Sequence, residues 1–313
     1  MLLLYYGTIH SAREGRIKTM FDVVCVGQAV LDCITRGKES FPYKPNVYRA
    51  ETIRLHTGGD AVNESKALAG MGFQVAVICG LGRDIAGDIL FSELSKAGVH
   101  TELVRRLEMD TPIANLQVAR DGSRISVNSD ATRLPGYSIR AEEVPDAKIV
   151  SFASIFRPPL EDPACIKALI QTAKKKGSIV SVDTKLPLLG TIRLADLEEV
   201  LPMIDYCFPN EKEAAYYTGK KTIPEMAHAL QDAGIRNVII KTGPEGCYCC
   251  GEGEEFALPA LPVPSVVDTT GAGDHFVAGF LSGVLRGASF HGCAVLGLQQ
   301  AARAIMHIGG GEA

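Results

Sequence analysis

The chain has 313 residues, 46% hydrophobic and 22% charged, with a formal net charge of −4. A chain of that size can bury a core without a disulfide or structural metal, as one large α/β domain or two small ones. Its charge leaves no basic footprint for nucleic acid, and no apolar run approaches the ~20 residues of a membrane span.

Residues 1–20 begin with apolar side chains but run into Arg13, Glu14, Arg16 and Lys18 without a cleavage pattern. They read as an extension outside the fold rather than a leader, with the folded domain over 21–313. A strand over 22–26 meets Gly27, and 47–56 reads as further strand. A helix is expected from Gly58-Gly59 to about Gly72, then a strand over 75–79 and a helix over 85–97. Arg120-Asp121-Gly122 between runs 113–119 and 123–128 is a hairpin signal.

From residue 148 the alternation becomes regular. Strands are expected over 148–153, 178–183, 204–208 and 237–241, with helices over 161–176, 210–217 and 223–233. This order predicts a mostly parallel sheet with helices on both faces. The irregular strands over about 33–57 and 112–128 fit such a sheet poorly and read as a small β lid at its edge. Lys174-Lys175-Lys176, the one basic cluster, closes the helix over 161–176, where cations complement the helix dipole. Phe276, Val277, Phe280, Leu281, Val284 and Leu285 recur at helical spacing, and 294–306 is apolar almost all round.

The nine cysteines are scattered and odd in number, as expected of reduced thiols in the cytosol. Cys247, Cys249 and Cys250 lie on a strand entering Gly251-Glu252-Gly253, with no paired Cys or His nearby in sequence, so a metal is not expected there.

Asp268-Thr269-Thr270-Gly271-Ala272-Gly273-Asp274 runs straight into the amphipathic helix. Small residues at a helix start leave backbone N–H groups bare beside the positive helix end, a receptor for phosphate. A carboxylate at Asp274 weakens such binding, yet it suits a base that takes a hydroxyl proton beside a transferring phosphoryl group. The plain alternative is a Gly-rich loop whose Asp favours the helix N-terminus.

That heptapeptide resembles the C-terminal signature of the ribokinase-like (PfkB-type) carbohydrate kinases, and Gly58-Gly59-Asp60-Ala61-Val62-Asn63 resembles their N-terminal one. The resemblance implies a ribokinase-like α/β fold with a β lid, and ATP-dependent phosphorylation of a sugar hydroxyl with Mg²⁺. Asp274 would be the base, and the amides of Gly271, Ala272 and Gly273 the anion hole. Gly58, Gly59 and Asn63 would contact the sugar, while Asp60 is open between that role and an ordinary helix cap. Asp32, following the first strand, would accept bonds from paired sugar hydroxyls. Arg157 would sit near the substrate and suit a carboxylate or phosphate on it.

Asn210 and Glu213 match an Asn-x-x-Glu element that the family places near Mg²⁺ and the nucleotide phosphates, usually through water, with Asn210 on the nucleotide and Glu213 on the metal, although the same spacing is a capping box. Lys241, Gly243 and Gly246 resemble the nucleotide-side turn, with Thr270 and Gln299 also assigned to the nucleotide. Two departures stand out: His275 replaces a small residue and is expected to face solvent, and Lys185 replaces an Asn two residues after Asp183. Gly80-Leu81-Gly82 lacks dinucleotide-binding spacing and reads as a turn, and no P-loop element is present.

A monovalent cation as activator and a homodimer through the lid are left open by the resemblance. So are two other functions. One is a nucleoside kinase, for which Phe41, Tyr43 and Tyr48 are candidate base contacts; the other is a catalytically silent sugar-binding protein.

Overall fold

The computed structural model describes residues 20–37, 49–119, 124–129, 137–187, 192–307 and 309. The expected extension lies outside these residues except for Met20, as do the hairpin turn 120–122 and Phe41, Tyr43 and Tyr48.

Eight strands form the main sheet. In chain order they are β1 (Phe21–Val26), β4 (Val75–Ile78), β9 (Ala147–Ile155), β10 (Ile179–Thr184), β11 (Tyr206–Cys207), β12 (Asn237–Lys241), β13 (Cys247–Gly251) and β14 (Glu254–Leu258). They lie in the order β14-β13-β12-β11-β10-β9-β1-β4. β4 through β12 are parallel, and β13 and β14 extend the sheet as an antiparallel hairpin. The parallel strands are buried along almost their whole length, because helices cover both faces.

Alternate strand residues feed two separate cores, as the period of two requires. Val24 and Val26 of β1 pack on one face with α3 (Pro163–Lys175), α4 (Glu211–Thr218) and α5 (Ile223–Asp232). Val23 and Cys25 pack on the other with α1 (Asp60–Gly70), α2 (Ile85–Lys96), α6 (Ala272–Leu285) and α7 (Phe290–Ala304). Local chemistry fixes where these helices start. Asp162 caps α3 ahead of Pro163, Ser289 caps α7, and Asp84 caps α2.

A second sheet stands apart, in the order β3-β2-β7-β8, from β2 (Val30–Arg36), β3 (Thr52–Gly58), β7 (Ile113–Val118) and β8 (Arg124–Asn128). These are the irregular segments set aside in the sequence. Their register places Asp32, Ala114 and Asn128 in one cross-strand row and Leu116 and Ser126 in the next, all on one face. Ile53, Leu55, Ile125 and Val127 share the opposite face. Gly80–Gly82 is not a turn. It is a short strand, β5, paired with β6 (Arg105–Leu107), and the bend follows it, where Asp84 accepts from Thr111 and Gly87.

Phe280 is fully buried, ringed by Phe208, Tyr206, Phe290 and Phe276 with centroids 5.0 to 6.5 Å away. Phe280→Ala is expected to cost about 3–5 kcal/mol, read as a lowered urea midpoint. Glu64 of α1 is 1% exposed, with Oε1 lacking a hydrogen-bond partner among the described residues. Burial, opposed by the Ser151 hydroxyl, raises its carboxyl to about 8. A carboxyl raised on folding stabilises below its unfolded pKa, and that stability is lost as pH rises through the folded value. Glu64→Gln removes this penalty. Its stability relative to the parent should therefore climb by a few kcal/mol between pH 4 and pH 9, and a flat difference across that range would show that folding does not raise the Glu64 carboxyl.

Candidate active site

The carboxyl ends of the parallel strands and the starts of α1 and α6 face one crevice, the place where open α/β sheets gather ligands. Asp183, Thr184 and Lys185 lie at the end of β10, Lys241 ends β12, and Arg157 follows β9. Gly59 precedes α1 with φ +89°, where a Cβ would stand 2.4 Å from Gln28 O. A Cβ on Gly58 would lie 2.2 Å from Asp32 Oδ2, so the glycine pair lets Asp32 and α1 come together.

Asp274 is in the first turn of α6 and 6% exposed. Its Oδ2 accepts from Asn63 Nδ2 at 2.8 Å, which ties the two signature segments together. Carboxylate oxygens of Asp60, Asp183 and Asp274 lie within 4.8 Å of one another. Such crowding is tolerable only with cations close by. Lys185 Nζ is 2.8 Å from Asp60 and Lys241 Nζ is 2.6 Å from Asp183. Burial and then Asp60 raise Asp274 to about 7, against the opposing pull of Lys185 and Asn63. Burial pushes Asp60 upward too, but Lys185 and Ser154 outweigh it and hold that carboxyl below its ordinary value. Asp32 rises to about 7 through burial, then through Asp268 and Asp60.

Two cavities meet at the start of α6. One, of about 290 Å³, is lined by Asp32, Gly59, Asp60, Asn63, Arg157 and Asp274, by Thr270 and Gly271, and by the inner face of the second sheet. The other, of about 640 Å³, is mostly apolar, and Lys241, Gly243, Gly246, Ala272 and Gly273 border it. Its far wall is the segment 260–266 together with Leu298, Ala301, Ala302 and Ile305. The five residues 270–274 thus form the partition, with Thr270, Gly271 and Asp274 on the smaller cavity and Ala272 and Gly273 on the larger.

Several expectations need correction. Thr270 lines the smaller cavity, on the Asp274 side, while Thr269 borders the larger one. Gln299 is exposed and borders neither, because the helical period turns 298, 301, 302 and 305 inward instead. His275 is 1% exposed, not solvent-facing, with Nδ1 3.0 Å from Gly271 O. A carbonyl only accepts, so Nδ1 carries the proton and the ring braces the turn at Gly271. Of the three expected bare amides, Ala272 N–H turns back to Thr269 O at 3.3 Å, while Gly271 and Gly273 make no such bond among the described residues. Asp60 does not use its side chain to cap α1, which has no side-chain cap; the carboxylate bonds Ser154 and Lys185 instead.

Asn210 and Glu213 do form a reciprocal capping box at α4. Glu213 is nonetheless buried, with Oε2 also accepting from Thr184, and its carboxyl is raised by burial and by Asp183. His228, Cys250 and Glu255 converge at the sheet edge, an approach invisible in the local spacing of the cysteines. Lys185 and the inner-face residues Ala114, Leu116, Ser126 and Asn128 were missed as site residues. For Lys185 the departure from the family's Asn was the available signal. For the others only strand alternation was, and it cannot say what each face meets.

The chain matches the pfkB family carbohydrate kinase profile over residues 20–313. It is 30% identical over 266 residues to an ATP-dependent ribose-1-phosphate kinase of Halopiger xanaduensis, covering 84% of each chain. It is 29% identical over 262 residues to a ribokinase of Haemophilus influenzae, covering 80% of this chain and 82% of that one. Its fold resembles that of Arabidopsis thaliana ribokinase complexed with ribose and ATP, with a TM-score of 0.76, 25% identity, and coverage of 93% and 94%. The family match over nearly the whole chain, together with a two-cavity site built around its two signatures, makes this protein a member of the pfkB family of carbohydrate kinases.

Proposed function

We propose that this kinase transfers the γ-phosphoryl group of ATP to a hydroxyl of a sugar-like acceptor, with Asp274 as the base. The observation that carries this reading is the partition. Asp274 lines the smaller cavity while its neighbours Ala272 and Gly273 border the larger one, so acceptor and phosphates would meet across one helix start. The larger, apolar cavity suits a nucleotide base, and the smaller, polar one suits an acceptor.

In this assignment Asp32, Gly59, Asp60 and Asn63 hold the acceptor, and Asn63 also orients the base through its bond to Oδ2. Asp274 takes the acceptor hydroxyl proton as the oxygen attacks phosphorus and ADP leaves. The Gly271 and Gly273 amides, with Lys241 beside them, stabilise charge on the transferring group. Lys185 balances Asp60 and keeps the base from being overwhelmed by like charge.

The donor set suits Mg²⁺, a hard cation that prefers oxygen. Asp183 Oδ1 is buried without a hydrogen-bond partner among the described residues, and Glu213 is a second buried carboxylate beside it. These two would hold the ion, Glu213 in part through water, and the ion would offset phosphate charge. The second sheet would act as a lid that excludes water from the acceptor cavity.

Its outer face supports a second assignment, a homodimer. Ile53 and Val127 are 66% and 57% exposed there, with Leu55 and Ile125 beside them, an apolar strip costly to leave in water.

Coupled ADP release against a panel of sugars, sugar acids, sugar phosphates and nucleosides tests the kinase reading. Asp274→Asn should lose about 10²–10⁴-fold in kcat. In the parent, kcat/KM should fall about tenfold per pH unit below about 7, where the base is protonated. Undiminished turnover in Asp274→Asn would remove Asp274 from the role of base. For the dimer, sedimentation should show one species of twice the chain mass, converted to monomer by Ile53→Glu with Val127→Glu; a monomeric parent would end that assignment.

A further inference from the structure

One cation lining the acceptor cavity has no hydrogen-bond or ion-pair partner among the described residues. Lys185 and Lys241 are each matched to a carboxylate of the site. The Arg157 guanidinium makes no hydrogen bond or ion pair among the described residues, and its Nε is fully buried. An arginine carries five N–H donors, and a buried donor left unmade is expensive. Burial works against the charge of this side chain, and the Asp60 and Glu213 carboxylates only partly compensate.

The backbone that presents Arg157 is not relaxed. Phe156 has φ +75°, a region that bulky side chains avoid, and it is 1% exposed with its ring 4.8 Å from that of Tyr217. Phe156 N–H donates to Leu160 O, and Leu160 N–H to Arg157 O, each at 2.6 Å. A tight loop at the end of β9 is therefore built and anchored around the residue that delivers the guanidinium. Strain held in place by packing and hydrogen bonds is a feature of ligand sites.

We infer that the acceptor is itself an anion, a sugar acid or a sugar phosphate, whose carboxylate or phosphate is held by Arg157. The guanidinium fork matches either group with two parallel bonds. Of the carboxylates that line the same cavity, Asp60 and Asp274 repel little. Asp60 is matched by Lys185, and Asp274 is matched in part by Asn63. A neutral sugar or a nucleoside base would cover the guanidinium without answering its charge or its buried Nε, so the cavity discriminates against both.

The inference rests on the kinase reading for what happens to the acceptor, but not for its binding, and the test separates the two. Fructose 6-phosphate, ribose 5-phosphate, gluconate and 2-keto-3-deoxygluconate would be compared with fructose, ribose and cytidine. Calorimetric binding without ATP and coupled ADP release would be measured for each. The variants are Arg157→Met and Arg157→Lys, with thermal melts to show that each is folded. The expected result is that at least one anionic acceptor is preferred over its neutral counterpart. Arg157→Met should lower that preference in kcat/KM by about 10²-fold or more, chiefly through KM, and Arg157→Lys should restore part of it.

Tighter binding or faster turnover with neutral sugars or nucleosides in the parent would overturn the inference while leaving the kinase reading intact. A fall in kcat of equal size for every acceptor would also overturn it, placing Arg157 on the transferring phosphoryl group. Arg157-dependent binding of an anion with no ATP-dependent turnover would do the reverse, sustaining the anion site and sinking the kinase reading.

Discussion

Three carboxylates within 4.8 Å of one another, at the buried end of a parallel sheet, are the constraint around which this molecule is arranged. Alone they would repel strongly enough to open the crevice or to protonate. The fold answers with two lysines, from β12 and from just past β10, and with an asparagine from α1. The result is unequal carboxyls. Asp60 is held below its ordinary value by Lys185, while Asp274 is raised to about 7 and so poised for proton transfer near neutrality.

The same requirement explains the backbone around the cluster. Helices α1 and α6 begin without side-chain caps, leaving their first turns open to whatever lies in the crevice. Gly59 and Gly271 take positive φ, which lets the chain turn sharply into each helix. His275, buried on the next turn, ties Gly271 O and so stiffens the partition between the cavities. The second sheet completes the acceptor side with the inner faces of strands that share no ladder with the main sheet.

Much of the fold could be read along the chain. Strands such as Asn237–Lys241 carried a continuous apolar run bounded by turn signals, and the helix from Ala272 carried Phe276, Val277, Phe280 and Leu281 at helical spacing. Those signals are short-range, so they survive without knowledge of neighbours. Gly80–Gly82 failed as a reading because a two-glycine segment looks like a turn until its partner strand, 25 residues later, is known.

The two glycine signatures and Asp274 were legible in the sequence because a helix start, a run of small residues and a carboxylate lie within seven positions. Gly58, Gly59 and Asn63 followed by resemblance. What the sequence could not decide was charge partnership, since attraction falls with distance in space and not with separation along the chain. That Lys185 answers Asp60, that Lys241 answers Asp183, and that Arg157 has no bonded partner among the described residues depend on strands β9, β10 and β12 ending at one edge. Facing was likewise left to the tertiary structure. Periodicity put Gln299 on a helix but not on its outer side, and put His275 at a helix start but not beneath it, because a period names a face and only packing says what that face meets.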